Sequence, residues 1–202
     1  MSIRLTLWLL FIIVFSWFII LPVSLSAKEV TFRGKVIDYD TKEPIAGAVV
    51  VASWLEARPT ISGESTRLKD VKETLTDRNG EWSITGEEGQ PHTEHPYYDF
   101  FTGTYHTRPP SFIIFKPGYC SWPQGFYIEA CQGKIKSNGE FTVLKTFELP
   151  KLTNREDRIR AQSISIPAGE GVLEKCRELI KLMNEESRNL GLPEEFKQGR
   201  GK

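Results

Sequence analysis

All three histidines of this chain, His92, His95 and His106, fall between Gly86 and Pro110, in a stretch that also holds Glu94 and Asp99. Neutral imidazole and carboxylate are ordinary ligands of zinc and copper, so these rings could hold such an ion if the chain brings His106 back towards the other two. The spacing matches no rigid ligand motif. The plainer reading is a polar surface loop whose aromatic residues, Tyr97, Tyr98, Phe100, Phe101 and Tyr105, fold onto the core as a lid. The same rings could instead form a contact surface for a peptide or glycan together with Trp122 and Tyr127, with Tyr97, Tyr98, Tyr105 and Trp122 as the contact residues.

Cysteine offers a second kind of chemistry. Ten residues, Pro123 and Gly125 among them, separate Cys120 from Cys131. That spacing suits a loop closed by a disulfide in an oxidising compartment. Cys176 lies among Leu173, Leu179 and Ile180 in a helical pattern, where a small buried hydrophobe is the better reading than a reactive thiol. No Gly-x-Ser-x-Gly elbow occurs, which leaves a Ser/His/Asp hydrolase without support.

The elements that must position these residues are mostly strands. Val30, Phe32, Gly34 and Val36 alternate with Thr31, Arg33 and Lys35, and Asp38 to Pro44 supplies turn chemistry. Ile45 to Ala52 is an apolar run, Val71 to Thr76 leads into Asp77-Arg78-Asn79-Gly80, and Glu81 to Ile84 alternates beyond it. The Asn-Gly pair is a hairpin signal, because both residues tolerate positive φ. Phe112 to Lys116, Phe126 to Ala130 and Phe141 to Leu149 complete some seven short strands, the pattern of a two-sheet antiparallel sandwich. The segments Leu55 to Lys69 and Glu87 to Pro110 read as oversized loops, and such loops carry function more often than the scaffold beneath them.

Beyond Leu149 the pattern turns helical. Thr153-Asn154-Arg155-Glu156 has the spacing of a capping box, opening a short helix through about Gln162. Val172, Leu173, Cys176, Leu179, Ile180, Met183 and Leu190 recur at three and four, with Gly191 and Pro193 ending an amphipathic helix of some 19 residues. Packing on its own sandwich is the first expectation for that stripe. The sharper alternative is a docking helix or a helix-mediated homodimer.

At the N-terminus, basic Arg4 precedes the apolar run Leu5 to Leu21, broken only by Thr6 and Ser16, and the small, turn-prone stretch Pro22 to Ala27 follows. This is the layout of a secretory signal peptide. The run also reaches the lower length of a membrane-spanning helix, so residues 5–21 stand either as a cleaved signal or as an anchor with the domain outside. Three regions follow: 1–27 as signal or anchor, 28–150 as the sandwich, 151–202 as a helical extension. Arg4 is the only charged residue before Lys28; of 26 basic and 26 acidic side chains all the others lie beyond it, a balance of −1. That neutrality excludes an electrostatic footprint for nucleic acid.

Four motifs in this order carry a family resemblance: Phe32 to Asp38, Glu43 to Val50, Thr76 to Trp82, and Phe115-Lys116-Pro117-Gly118-Tyr119. They resemble the successive motifs of the carboxypeptidase regulatory-like domain. The resemblance implies a seven-stranded, transthyretin-like (immunoglobulin-like) sandwich over about Lys28 to Leu149, with Gly34 and Gly47 at close approaches or bends. It also implies no catalytic residues and no cofactor, since in metallocarboxypeptidases this domain follows the catalytic one. The zinc pattern His-x-x-Glu is absent: His95 stands third after His92, and Pro109 third after His106. A hydroxyisourate hydrolase is similar in fold class only, because no Tyr-Arg-Gly-Ser run occurs. The expectation is therefore a non-catalytic exported envelope module that binds a protein, peptide or glycan through its long loops. The alternative is a metal-binding or metal-dependent protein using His92, His95 and His106.

Overall fold

The computed structural model describes residues 28–90, 92–141 and 143–194. The apolar segment expected as signal or anchor lies outside the described residues. Among those described, no helix is long and apolar enough to cross a membrane.

In the described residues eight strands form two sheets: β1 (Glu29–Asp38), β2 (Val49–Thr60), β3 (Gly63–Leu75), β4 (Glu81–Glu87), β5 (His106–Thr107), β6 (Ser111–Phe115), β7 (Lys136–Asn138) and β8 (Lys145–Leu149). Among the described residues four helices accompany them: α1 (Pro96–Thr102), α2 (Arg155–Ala161), α3 (Val172–Lys175) and α4 (Arg177–Asn189). The first sheet runs β4-β1-β8-β7; the second has β3 on one side of β2, with β5 and β6 both paired to β2. The expected two-sheet, mainly β architecture is present. It has eight strands rather than seven, and it is not wholly antiparallel, because β1 and β8 pair in parallel from Gly34↔Lys145 to Asp38↔Leu149.

The alternation along β1 does what period two requires. Phe32 and Val36 face inward with Trp82, Ile84, Phe147 and Leu149, and meet Val50, Ala52, Trp54, Phe112 and Ile114 of the other sheet. β2 reads as a continuous apolar run because both of its faces are covered. Val49 and Val51 point away from the inter-sheet core and pack with Ile113 and Phe115 against Val172, Cys176, Leu179 and Met183. Most of the helical stripe is thus buried on its own sheet, while Leu173 is exposed. The stripe is also two helices, since Cys176 (φ −111°, ψ 41°) breaks the turn between α3 and α4. α4 ends in a Schellman motif, with Leu192 N–H donating to Ser187 O at 2.8 Å and Gly191 N–H to Arg188 O at 3.0 Å. The cap of α2 is Asn154, whose side chain accepts from Glu156 N–H, in place of the expected Thr153.

Two glycines are demanded by contact or conformation. A Cβ on Gly34 would stand 2.5 Å from the Trp82 ring, so only glycine lets that indole lie across β1. Gly80 sits at φ +73° in the turn after Asp77. That turn is not a hairpin within one sheet: β3 is an edge of the second sheet and β4 an edge of the first, so the chain changes sheets there. The run Phe126 to Ala130 is not a strand either, and leads into a 3-10 turn at Glu129–Cys131.

Cys120 and Cys131 are bonded, with their Cα atoms 6.0 Å apart, in a small core with Ile128, Leu152 and Ala161. Cys176 is the free cysteine and is buried. Burial, reinforced by the nearby Glu73 carboxylate, pushes its thiol up to about 11. The neutral thiol therefore favours the fold below the ordinary thiol range, and that contribution is lost as pH rises through about 11. An aromatic disulfide reagent should find no thiol in the native, unreduced protein, one after unfolding, and three after unfolding and reduction. Reduction alone should lower the unfolding free energy by about 2 to 3 kcal/mol, read from the urea midpoint, because the closed loop is short.

Candidate functional site

The two long segments that read as loops fold against each other. Leu55 to Lys69 is a hairpin continuing β2 and β3, with pairs from Leu55↔Leu68 to Thr60↔Gly63 around a tip at Ile61 and Ser62. The irregularity between Trp54 and Leu55 shifts the register just where this arm leaves the core. The second segment returns along the arm: Gln90 N–H donates to Thr107 O at 2.7 Å, and His106 and Thr107 pair with Ala57 and Glu56. Pro109 and Pro110 then separate β5 from β6, since neither can donate to the ladder.

Between Gln90 and β5 lies α1. Its Pro96 occupies the first turn, and its buried Asp99 accepts from Thr93 Oγ1 while its own N–H donates to His95 O at 2.9 Å. Gly103 at φ +69° ends it. Tyr105 is held under the guanidinium groups of Arg67 (4.1 Å) and Arg58 (5.0 Å).

This arrangement leaves a cleft of about 330 Å³ lined by Pro59, Gly63, Glu64, His92, Thr93, Pro96, His106 and Arg108. His92 and His106 therefore reach one site, whereas His95 does not line it. Of the expected trio the cleft holds a pair; His95 donates its N–H to Thr93 Oγ1 and is exposed at the start of α1. Among the described residues, no three His, Cys, Asp or Glu side chains are grouped closely enough to hold a metal ion. Arg108 forms an ion pair with Glu64 in the cleft wall. Its Nε and the Nδ1 of His106 are buried without a hydrogen-bond partner among the described residues. An unsatisfied buried donor or acceptor costs about 1 to 3 kcal/mol, so a ligand that engages these groups starts with that advantage.

The aromatic lid is not formed. Tyr97 and Tyr98 are 82% and 64% exposed, so they cover nothing. Trp122 is no part of a surface with them: its ring packs edge-on against Phe147 at 4.9 Å and its backbone bridges to Ile114. Glu64 and Arg108 were not visible as site residues, since the hairpin that presents Glu64 reads as a loop. The Ser62-Gly63 dipeptide was the available turn signal.

No family model matches the chain, and no curated protein matches it. Solved structures do. A 3-chlorocatechol 1,2-dioxygenase from Rhodococcus opacus is 20% identical, with a TM-score of 0.35 over 63% of this chain and 62% of that one. A catechol 1,2-dioxygenase from Pseudomonas arvilla is 14% identical, with a TM-score of 0.32 over 68% and 57%. The major plantain pollen allergen is 13% identical, with a TM-score of 0.30 over 62% and 92%. The chain spans about three fifths of the length of these dioxygenases. The catechol and hydroxyquinol dioxygenases among these matches do not bear out the expectation of a non-catalytic module and of a protein that is not an enzyme. At such identities and scores they assign no reaction, substrate or metal to this chain.

Proposed function

We propose that the cleft between the hairpin and α1 is the working site and that it takes a transition-metal ion through His92 and His106. The observation that carries this reading is the convergence of two imidazoles, 14 residues apart, on one cleft where His106 Nδ1 lacks a partner. Two protein ligands leave coordination positions to water or substrate, the condition that separates working metal sites from closed structural ones. The imidazole χ2 torsion is broad, so the ring can turn to offer either nitrogen. Glu64, held by Arg108, stands in the same wall as a carboxylate able to accept a hydrogen bond from a metal-bound water.

Titration with zinc and copper, followed by calorimetry and by the histidine ring signals in NMR, tests it. His92→Ala and His106→Ala should each weaken binding at least about tenfold, a loss of about 1.4 kcal/mol. His95→Ala should leave the affinity unchanged. Equal losses from all three substitutions, or binding indifferent to them, would exclude the cleft.

Two further readings accompany this one. The chain is exported, a location supported by Arg4 with the Leu5–Leu21 run and by the Cys120–Cys131 disulfide, which belongs to oxidising compartments. The sandwich is a variant of the transthyretin-like class of carboxypeptidase regulatory-like domains. Its support is that the four motifs fall on β1, on the entry to β2, on the turn before β4, and on the end of β6.

A further inference from the structure

We propose that the hairpin end of the molecule rests on a membrane, with Tyr97, Tyr98 and Phe101 at the lipid interface and Ile61 as its apolar tip. This rests on the exported reading in its anchored form, in which residues 5–21 remain in the bilayer. Tyr97, Tyr98 and Phe101 are 82%, 64% and 83% exposed, and Ile61 at the hairpin tip is 95% exposed. Rings left in water on a short helix cost hydrophobic free energy and suit the headgroup level, where Tyr is enriched.

The fold puts the anchor's attachment at this same end. Lys28 enters β1 beside Glu88, which it meets in an ion pair at 2.8 Å, and Gln90 N–H then bonds Thr107 O beside the arm that bears α1. The hairpin projects from Leu55 to Ile61, six residues, or about 20 Å at strand spacing. Six residues, Pro22 to Ala27, separate Lys28 from the apolar run, and fully extended they also reach about 20 Å. The tether is thus long enough for the hairpin tip to stand at the membrane surface. Beside the patch Arg67 pairs with Glu56 and Arg108 with Glu64, so the contact is assigned to the rings and not to anionic lipid.

The test uses the full chain in phosphatidylcholine vesicles, with single cysteines Tyr98→Cys, Ile61→Cys and Arg78→Cys carrying an environment-sensitive fluorophore. Buried Cys176 and the disulfide stay unlabelled. Arg78 lies in the turn before β4, at the opposite end of the sheets. The protein should float with the vesicles. Probes at 98 and 61 should show blue-shifted emission quenched by doxyl-labelled lipid, and the probe at 78 neither. A chain that floats while the probes at 98 and 61 emit as in water overturns the lipid contact and leaves the anchor standing. Quenching at all three positions also overturns it, because the contact would then have no defined face. A chain that does not float overturns both.

Discussion

Arg158→Ala should destabilise the protein by about 3 to 5 kcal/mol, the cost of leaving a buried charge without its partner. Glu186 is 1% exposed, and Arg158 holds both of its oxygens, Nε to Oε1 and Nη2 to Oε2, each at 2.7 Å. The third partner is the N–H of Gly118, at 3.2 Å from Oε1. One carboxylate thereby ties α2, α4 and the turn after β6 together. Removing the guanidinium strands the buried Glu186 side chain without its partner, and that costs stability. The urea midpoint at neutral pH reads the loss. Arg158→Met combined with Glu186→Leu should recover most of it, since an apolar pair of similar volume removes the stranded charge. If the double variant is as weak as the single one, the pair acts through shape and not through charge.

The second large effect belongs to Trp54. It is 2% exposed, its ring covers Gly86 so closely that a Cβ there would meet Cζ2 at 2.2 Å, and its Nε1–H donates to Glu87 O at 2.7 Å. Trp54→Ala should cost about 3 to 5 kcal/mol as transfer and cavity terms combined. In a chain of this length that lowers the melting temperature by roughly 10 °C. The change should also reach the cleft. Glu87 leads directly into the segment that hydrogen-bonds Gln90 to Thr107, so amide exchange should speed at Gln90 and Arg108 more than at Val36 or Phe147. Trp54→Phe keeps most of the ring volume but strands the Glu87 carbonyl, and should cost about 1 kcal/mol beyond the lost contact. Uniform exchange across the sandwich would show that Trp54 serves the core alone.

Much of the scaffold is readable from local pattern. The alternation of Val30 to Val36 places β1's inward face, the three-four recurrence from Val172 to Met183 places the helical stripe, and Gly191 ends it. Cys120 and Cys131 are close enough in sequence that a short loop brings them together. Each of these rests on interactions within about a dozen residues, where backbone sterics and period decide the outcome.

The site is another matter. Glu64 and His106 are 42 residues apart and meet only because β2 runs on past Trp54 into a paired arm. The stretch Leu55 to Lys69 has no clean apolar alternation, since its hydrogen bonds come from its own partner arm and its faces meet α1 and solvent. His95, three residues from His92, looks equivalent in sequence, yet the Thr93–Asp99 bond and the start of α1 carry its ring away from the cleft. The parallel pairing of β1 with β8 likewise joins Gly34 to Lys145, a contact that no local signal specifies.

What the amino-acid order determined by itself is therefore the mainly β character, the helical tail, the inert buried Cys176 and the cysteine pair, because propensity, burial period and loop length act locally. Only the tertiary structure decided which histidines share a cleft, that Glu64 and Arg108 stand with them, and that Tyr97, Tyr98 and Phe101 of α1 face outward. Those facts depend on register and sheet order, which long-range packing sets and which residue spacing alone does not encode.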